Sequence, residues 1–164
     1  MDKMITELLT LLRDLLAGQQ RLLKLALIRR EAMRTFDIAR LEMLASQEKS
    51  EMSNLAALDR LRLQVTAQIR TTLPRNVEAT VSEVARRASE PAKSQLLALA
   101  AQLKETVEQV ERNTRINATV SEAVVKGLAK VLKVVTGLTQ HAGMYMRNGR
   151  KAAMHGIHLL EVTA

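Results

Sequence analysis

The sequence predicts an all-α protein: an elongated antiparallel helical bundle or coiled coil of about three long helices. Its two prolines, Pro74 and Pro91, leave residues 1–73 and 92–164 free of the strongest helix breaker. Apolar residues in both stretches recur every ~3.5 residues, the period of packed helices. Only 1% of the residues are aromatic, and a core of Leu, Val, Ala, Ile and Met suits slender helix-on-helix packing.

The first predicted helix carries a Leu-rich stripe that is too wide for a two-stranded seam, so it requires at least two partner helices. The apolar phase slips at residues 34–38, and Asp37 is a good N-cap because its carboxylate can accept from the free amides of the next turn. We therefore expect a kink or tight break there. A second helix should follow from about Ile38 to about Thr72. Its inner face is expected to carry Leu41, Leu44, Met52, Leu55, Leu58, Leu61, Val65 and Ile69.

The chain between the prolines is less regular. The residue before Pro74 avoids the α region, which predicts a turn, and a short amphipathic helix is expected near residues 77–90. The third long helix follows an apolar pattern from Leu96 to Leu138. Five of the six glycines lie from Gly127 onward, so the end of the chain should be flexible. We thus expect a helical domain over residues 1–140 and a flexible basic segment over residues 141–164.

The net charge of +8 is concentrated in the last part of the chain, where Lys126, Lys130 and Lys133 stand opposite an apolar stripe. Such an amphipathic helix can take up a partner helix or lie on an anionic membrane. No helix-turn-helix or zinc module accompanies it, so nucleic acid is not expected as a partner. No apolar run is long enough for stable membrane insertion, and no signal peptide is recognisable, which predicts a cytoplasmic location.

No group of residues suggests catalysis, a metal or a cofactor. The chain has no cysteine, which excludes thiol chemistry and disulfides. Of its three histidines, His141, His155 and His158, the last two have i, i+3 spacing and could share a helical face, but no third ligand and no carboxylate cluster accompanies them. We therefore expect no catalytic residue, no metal site and no cofactor.

Three polar or aromatic residues interrupt the apolar pattern. Asn113 and Asn117 lie on or beside the stripe of the third long helix, where they could fix the helix register or form a polar notch in a binding groove. Tyr145 is the only tyrosine, and it stands between Met144 and Met146 in a Gly-rich stretch. Exposed Tyr and Met favour partner binding, although this Tyr could equally cover the bundle.

The order of these features resembles the FlgN-type chaperones of flagellar type III export. The similarity comprises a Leu-rich first helix, Glu31–Asp37, Leu41–Lys49, Leu55–Arg60, Asn113–Asn117 and the ending Tyr145–Gly149. In that ending, Met-Arg-Asn stands where the family commonly has Gly-Pro-Asp, and residues 150–164 continue beyond the usual end.

This resemblance implies a cytoplasmic, non-enzymatic chaperone that binds hook–filament junction proteins of the FlgK and FlgL type, prevents their premature assembly and delivers them to the export gate. It implies contact with a gate component at Tyr145 and Gly149. It places client binding on the apolar stripe at Val120, Val124, Leu128, Val131, Val135 and Leu138.

Two other functions are open at this point. The stripe could be consumed in a coiled-coil scaffold, as a homodimer or larger homo-oligomer. Alternatively, the basic amphipathic helix could bind an anionic membrane or nucleic acid, with affinity that falls steeply as salt rises.

Overall fold

The structure is a computed structural model that describes residues 2–74 and 79–142, with side chains described as far as residue 137. Four helices occupy this part of the chain, and it contains no strand: α1 (Asp2–Arg34), α2 (Ile38–Thr72), α3 (Val81–Arg87) and α4 (Ala92–Ala142). The all-α prediction is confirmed, with three long helices and the short one inside the expected range.

The break between α1 and α2 lies where the apolar phase slips. The N–H of Asp37 donates to Ala32 O at 3.0 Å and that of Phe36 to Met33 O at 3.4 Å, the two bonds of a Schellman motif. Phe36 takes the left-handed conformation that this motif requires, with φ of 54°. The Asp37 carboxylate then accepts from Arg40 N at 3.0 Å and caps α2. The predicted break is confirmed.

The first 121 residues form one compact unit, in which α1 contacts both α2 and α4. α2 runs antiparallel to α1, since Arg21 of α1 pairs with Glu51 at 2.7 Å while the start of α1 packs near the end of α2. α4 runs parallel to α1, because Gln95 accepts from Arg13 and Asn113 accepts from Arg30. The core residues buried between these helices are Ile5, Leu8, Leu9, Leu11, Leu12, Val65, Ile69, Leu73, Val84, Ala85 and Leu96.

The short helix α3 closes this core at one end. Its N-cap Thr80 accepts from Glu83 N through its hydroxyl at 3.2 Å. Val84 and Ala85 are buried against the core, and Glu83 pairs with Arg86 and Arg87 on the outer side. The seven residues of α3 thus cover apolar side chains that the long helices leave open.

A glycine in the middle of α1 marks a close approach to α2. A Cβ built on Gly18 would lie 2.6 Å from Leu55 Cδ2 and 3.1 Å from Leu55 Cγ. Gly in a helix interior costs about 1 kcal/mol relative to Ala. Here the missing side chain leaves room for Leu55, which is itself buried.

The predicted inner face of α2 is only partly correct. Leu44, Leu55, Val65 and Ile69 are buried as expected, and Leu41 and Leu58 are half-buried. Met52, however, is 62% exposed and Leu61 is 48% exposed. Met52 lines an open cleft between α1, α2 and α4. Helical spacing identified the stripe without showing how much of it has a partner.

Residues 122–164 form the second unit. Its described part is the helical stretch from residue 122 to Ala142, which is the last part of α4. The flexible segment expected over residues 141–164 lies outside the described residues from residue 143 onward.

Adjacent leucines at the start of α4 test the core assignment. Leu96 is fully buried and Leu97 is 43% exposed. Leu96→Ala should lower the free energy of unfolding by about 2–5 kcal/mol because it leaves a cavity in the core. Leu97→Ala should change it by less than about 1 kcal/mol. Urea denaturation followed by far-UV circular dichroism measures both, and equal effects of the two variants would contradict the assignment.

Candidate functional site

The described part of the second unit exposes an unusual amount of apolar surface. Six large aliphatic side chains within residues 122–137 are between 49% and 63% exposed: Val125, Leu128, Val131, Leu132, Val134 and Val135. Exposed apolar surface of this extent is typical of a site where a protein meets a partner.

The exposed apolar side chains share one side of the helix. At about 100° per residue they cover about half of the circumference, centred near Leu128 and Val135. Lys126, Lys130 and Lys133 fall on the opposite side, and all three are exposed. Glu122 accompanies them at 3.9 Å from Lys126 Nζ. This surface, which we call the α4 apolar face, is therefore sharply separated from a basic side.

The sequence predicted a narrower stripe than the structure shows. Leu128, Val131 and Val135 are exposed on the α4 apolar face, and Val124 is half-buried. Val120 belongs to the first unit and is also half-buried there. The side chain of Leu138 lies outside the described residues, as do Tyr145 and Gly149.

Sequence reasoning missed three members of the face: Val125, Leu132 and Val134. They fall beside the 3.5-residue pattern rather than on it, and they roughly double its width. The signal that could have found them is the doublets Val124-Val125, Val131-Leu132 and Val134-Val135. Paired apolar residues at helical spacing indicate a broad face instead of a single seam.

Asn117 joins α4 to α1 in the first unit. Its side chain is 6% exposed, its Nδ2 donates to Ala26 O at 2.7 Å and its Oδ1 accepts from Arg30 Nε at 3.3 Å. Arg30 also donates from Nη2 to Asn113 Oδ1 at 2.6 Å, and Asn113 Nδ2 donates to Gln109 O. A shift of α4 along α1 would break all three interhelical bonds, two of which are made by the buried Asn117 amide.

A cleft of about 440 Å³ opens beside this cluster, between α1, α2 and α4. It is mostly apolar, and its lining includes Leu22, Ala26, Met33, Met52, Val110 and Asn117. Arg29 and Glu48 form an ion pair that joins α1 to α2 at the cleft wall. The cleft could not be found from the sequence, because its lining residues are brought together by packing between distant parts of the chain.

Ion pairs are the main electrostatic feature of the α1–α2 hairpin. The hydrogen bond from Arg21 to Glu51 raises the pKa of Arg21, and this pair supplements the Arg29–Glu48 pair. At the exposed end of α1, the hydrogen bond from Arg34 lowers the pKa of Glu31 and raises that of Arg34. The Arg21–Glu51 and Arg29–Glu48 pairs join α1 to α2, whereas the Arg34–Glu31 pair lies within α1.

No cluster of three or more metal-binding side chains occurs among the described residues. Over the same ranges, no helix is both long enough and apolar enough to cross a bilayer. The side chains of His141, His155 and His158 lie outside the part of the chain whose side chains the structure describes.

The described residues combine long helices with a broad exposed amphipathic face, which is typical of proteins that bind other polypeptides. The model of the FlgN protein family matches residues 1–153. The chain therefore belongs to the FlgN family, a family of flagellar export chaperones. No curated protein and no solved structure matches the chain.

The role of Asn117 can be tested against its alternative. Asn117→Ala removes the interhelical bonds and should lower the free energy of unfolding by about 1–3 kcal/mol, because it leaves buried polar groups without partners. Asn54→Ala, an exposed amide in the middle of α2, is the matched control and should have no destabilising effect. Urea denaturation measures both. Unchanged stability of Asn117→Ala together with weaker client binding would favour the polar-notch interpretation over register control.

Proposed function

We propose that the protein is a cytoplasmic chaperone that holds hook–filament junction proteins of the FlgK and FlgL type before export. The observation that carries this proposal is the α4 apolar face. A client's amphipathic helix can bury its apolar side against this face, as in other helix-in-groove complexes. Such a complex keeps the client from assembling prematurely and leaves the rest of the client available to the export machinery.

The chemistry of the face suits reversible capture. Val and Leu side chains provide apolar contact area without charged groups that would select one rigid geometry. A client segment that becomes ordered only on binding loses conformational entropy, which limits affinity and assists release. The binding residues in this proposal are Val120, Val124, Leu128, Val131, Val135 and Leu138.

Docking at the export gate is a second part of the proposal. It rests on the family ending, which in this chain is Tyr145 to Gly149. A tyrosine between two methionines supplies an adaptable contact surface with a polar end. Client capture and gate contact would then use different parts of the chain.

The client site can be tested by substitutions that introduce a carboxylate on the apolar or on the basic side of α4. Leu128→Glu and Val131→Glu place a charge in the α4 apolar face and should weaken binding of a hook–filament junction protein at least tenfold, since each charge would be buried without a partner. Lys130→Glu, on the basic side, is the matched control and should retain binding. Isothermal titration calorimetry gives the affinities, and far-UV circular dichroism should show unchanged helicity.

Unchanged affinity of both apolar-face variants would contradict the site. A scaffold function predicts something else: a dimer or larger oligomer that persists on dilution and takes up no client. Sedimentation of the client-free protein over a range of concentrations distinguishes the two functions.

If Tyr145 contacts the export gate, its substitution should affect secretion of the client without affecting client binding. Tyr145→Ala should reduce secretion of junction proteins in a flagellated host while leaving client affinity within about twofold. Tyr145→Phe, which keeps the ring, should retain most secretion. Loss of client affinity in Tyr145→Ala would instead assign Tyr145 to the client site or to the folded body.

A further inference from the structure

We propose that the α4 apolar face, when no client covers it, lies on an anionic lipid surface, with Lys126, Lys130 and Lys133 contacting the headgroups. Two features of residues 122–137 lead to this proposal: the width of the apolar face and the position of its charges. The proposal uses the same face as the proposed function, but its evidence and its test do not involve a client.

The width of the face exceeds what one partner helix covers. A single packed helix buries a stripe of about 100°. The α4 apolar face spans about half of the circumference, so Val125 and Val134 at its edges would stay exposed beside one docked helix. A planar boundary between headgroups and acyl chains covers such a face completely, as it does for interfacial amphipathic helices.

The charges of this segment also differ from those of the rest of α4. Residues 92–121 mix Lys93, Lys104, Arg112 and Arg115 with Glu105, Glu108 and Glu111. Residues 122–137 contain three lysines and a single carboxylate, Glu122. A docked helix would leave these lysines in solvent, where they add nothing to its binding.

Lysines opposite an apolar face have a specific role at a membrane. Their long aliphatic stems let the ammonium groups reach the headgroup layer while the apolar face is inserted. Each lysine near an anionic surface strengthens binding about fivefold. Binding would therefore be peripheral and reversible, and a client occupying the apolar face would prevent it. The face would thus alternate between a client and the bilayer.

The test uses the full-length, client-free protein and vesicle co-sedimentation. Vesicles of equimolar phosphatidylglycerol and phosphatidylcholine should retain the protein, and pure phosphatidylcholine vesicles should not. Lys126→Gln/Lys130→Gln/Lys133→Gln should weaken retention at least tenfold. The matched control is Lys49→Gln/Lys93→Gln/Lys104→Gln, which removes equal charge from exposed sites of the first unit and should bind within about threefold of wild type.

A second variant separates a lipid surface from other polyanions. Val131→Asn/Leu132→Asn keeps every charge and should abolish vesicle binding if the apolar face inserts. Retained binding of this variant, equal losses in the two lysine triples, or tighter binding to duplex DNA than to the anionic vesicles would each overturn the proposal.

Failure of this inference and failure of the proposed function give different results. The Lys126/Lys130/Lys133 triple variant should still bind a junction protein normally, because the client meets the opposite side. Client binding without vesicle binding would overturn the lipid proposal alone. Vesicle binding without client binding would overturn the chaperone site alone.

Discussion

The wide apolar stripe of α1 is the constraint on which the first unit depends. Side chains of the other three helices pack against this stripe to form the core. Leu8, Leu12, Ile69 and Leu96 are therefore almost completely buried. A stripe of this width requires more than one partner, and the Schellman turn at Phe36 returns the chain as α2 to supply the first. The connection through α3 then allows α4 to pack parallel to α1.

The apolar pattern of α4 is packed against the core in the first part of the helix and exposed in the last part. Its early apolar positions, such as Leu96, Leu99 and Leu103, pack against the core, and Asn117 is bonded to α1. Residues 122–137 continue the pattern with their apolar side chains exposed. Exposed aliphatic surface is unfavourable in water. A chaperone can exploit this, because a complex in which an amphipathic client covers the surface is more favourable than the uncovered chaperone. The membership of the chain in the FlgN family fits this use of an uncovered stripe.

Local signals made much of the fold predictable. The N-cap Asp37 fixed the break between the first two helices, and the prolines limited the irregular region around α3, because capping and backbone restriction act within a few residues. Contacts between distant helices were not predictable in this way. The pattern that included Asn117 could not name Ala26 or Arg30 as its partners, and spacing could not show that Met52 borders an open cleft. The sequence shows the apolar stripe of the candidate face and, in its apolar doublets, a sign of its width, but that these side chains are exposed is seen only in the packed structure.

The central claim, that the α4 apolar face holds an export client, is tested most directly by site-specific photo-cross-linking. A photoreactive amino acid would be placed at Val131 on the apolar face, at Lys133 on the basic side, or at Lys49 in the first unit, in cells that co-express a hook–filament junction protein. We predict a cross-link to the client from position 131, with little from position 133 and none from position 49. Equal cross-linking from positions 131 and 133, or cross-links from position 131 only to a second copy of the chain, would contradict the account.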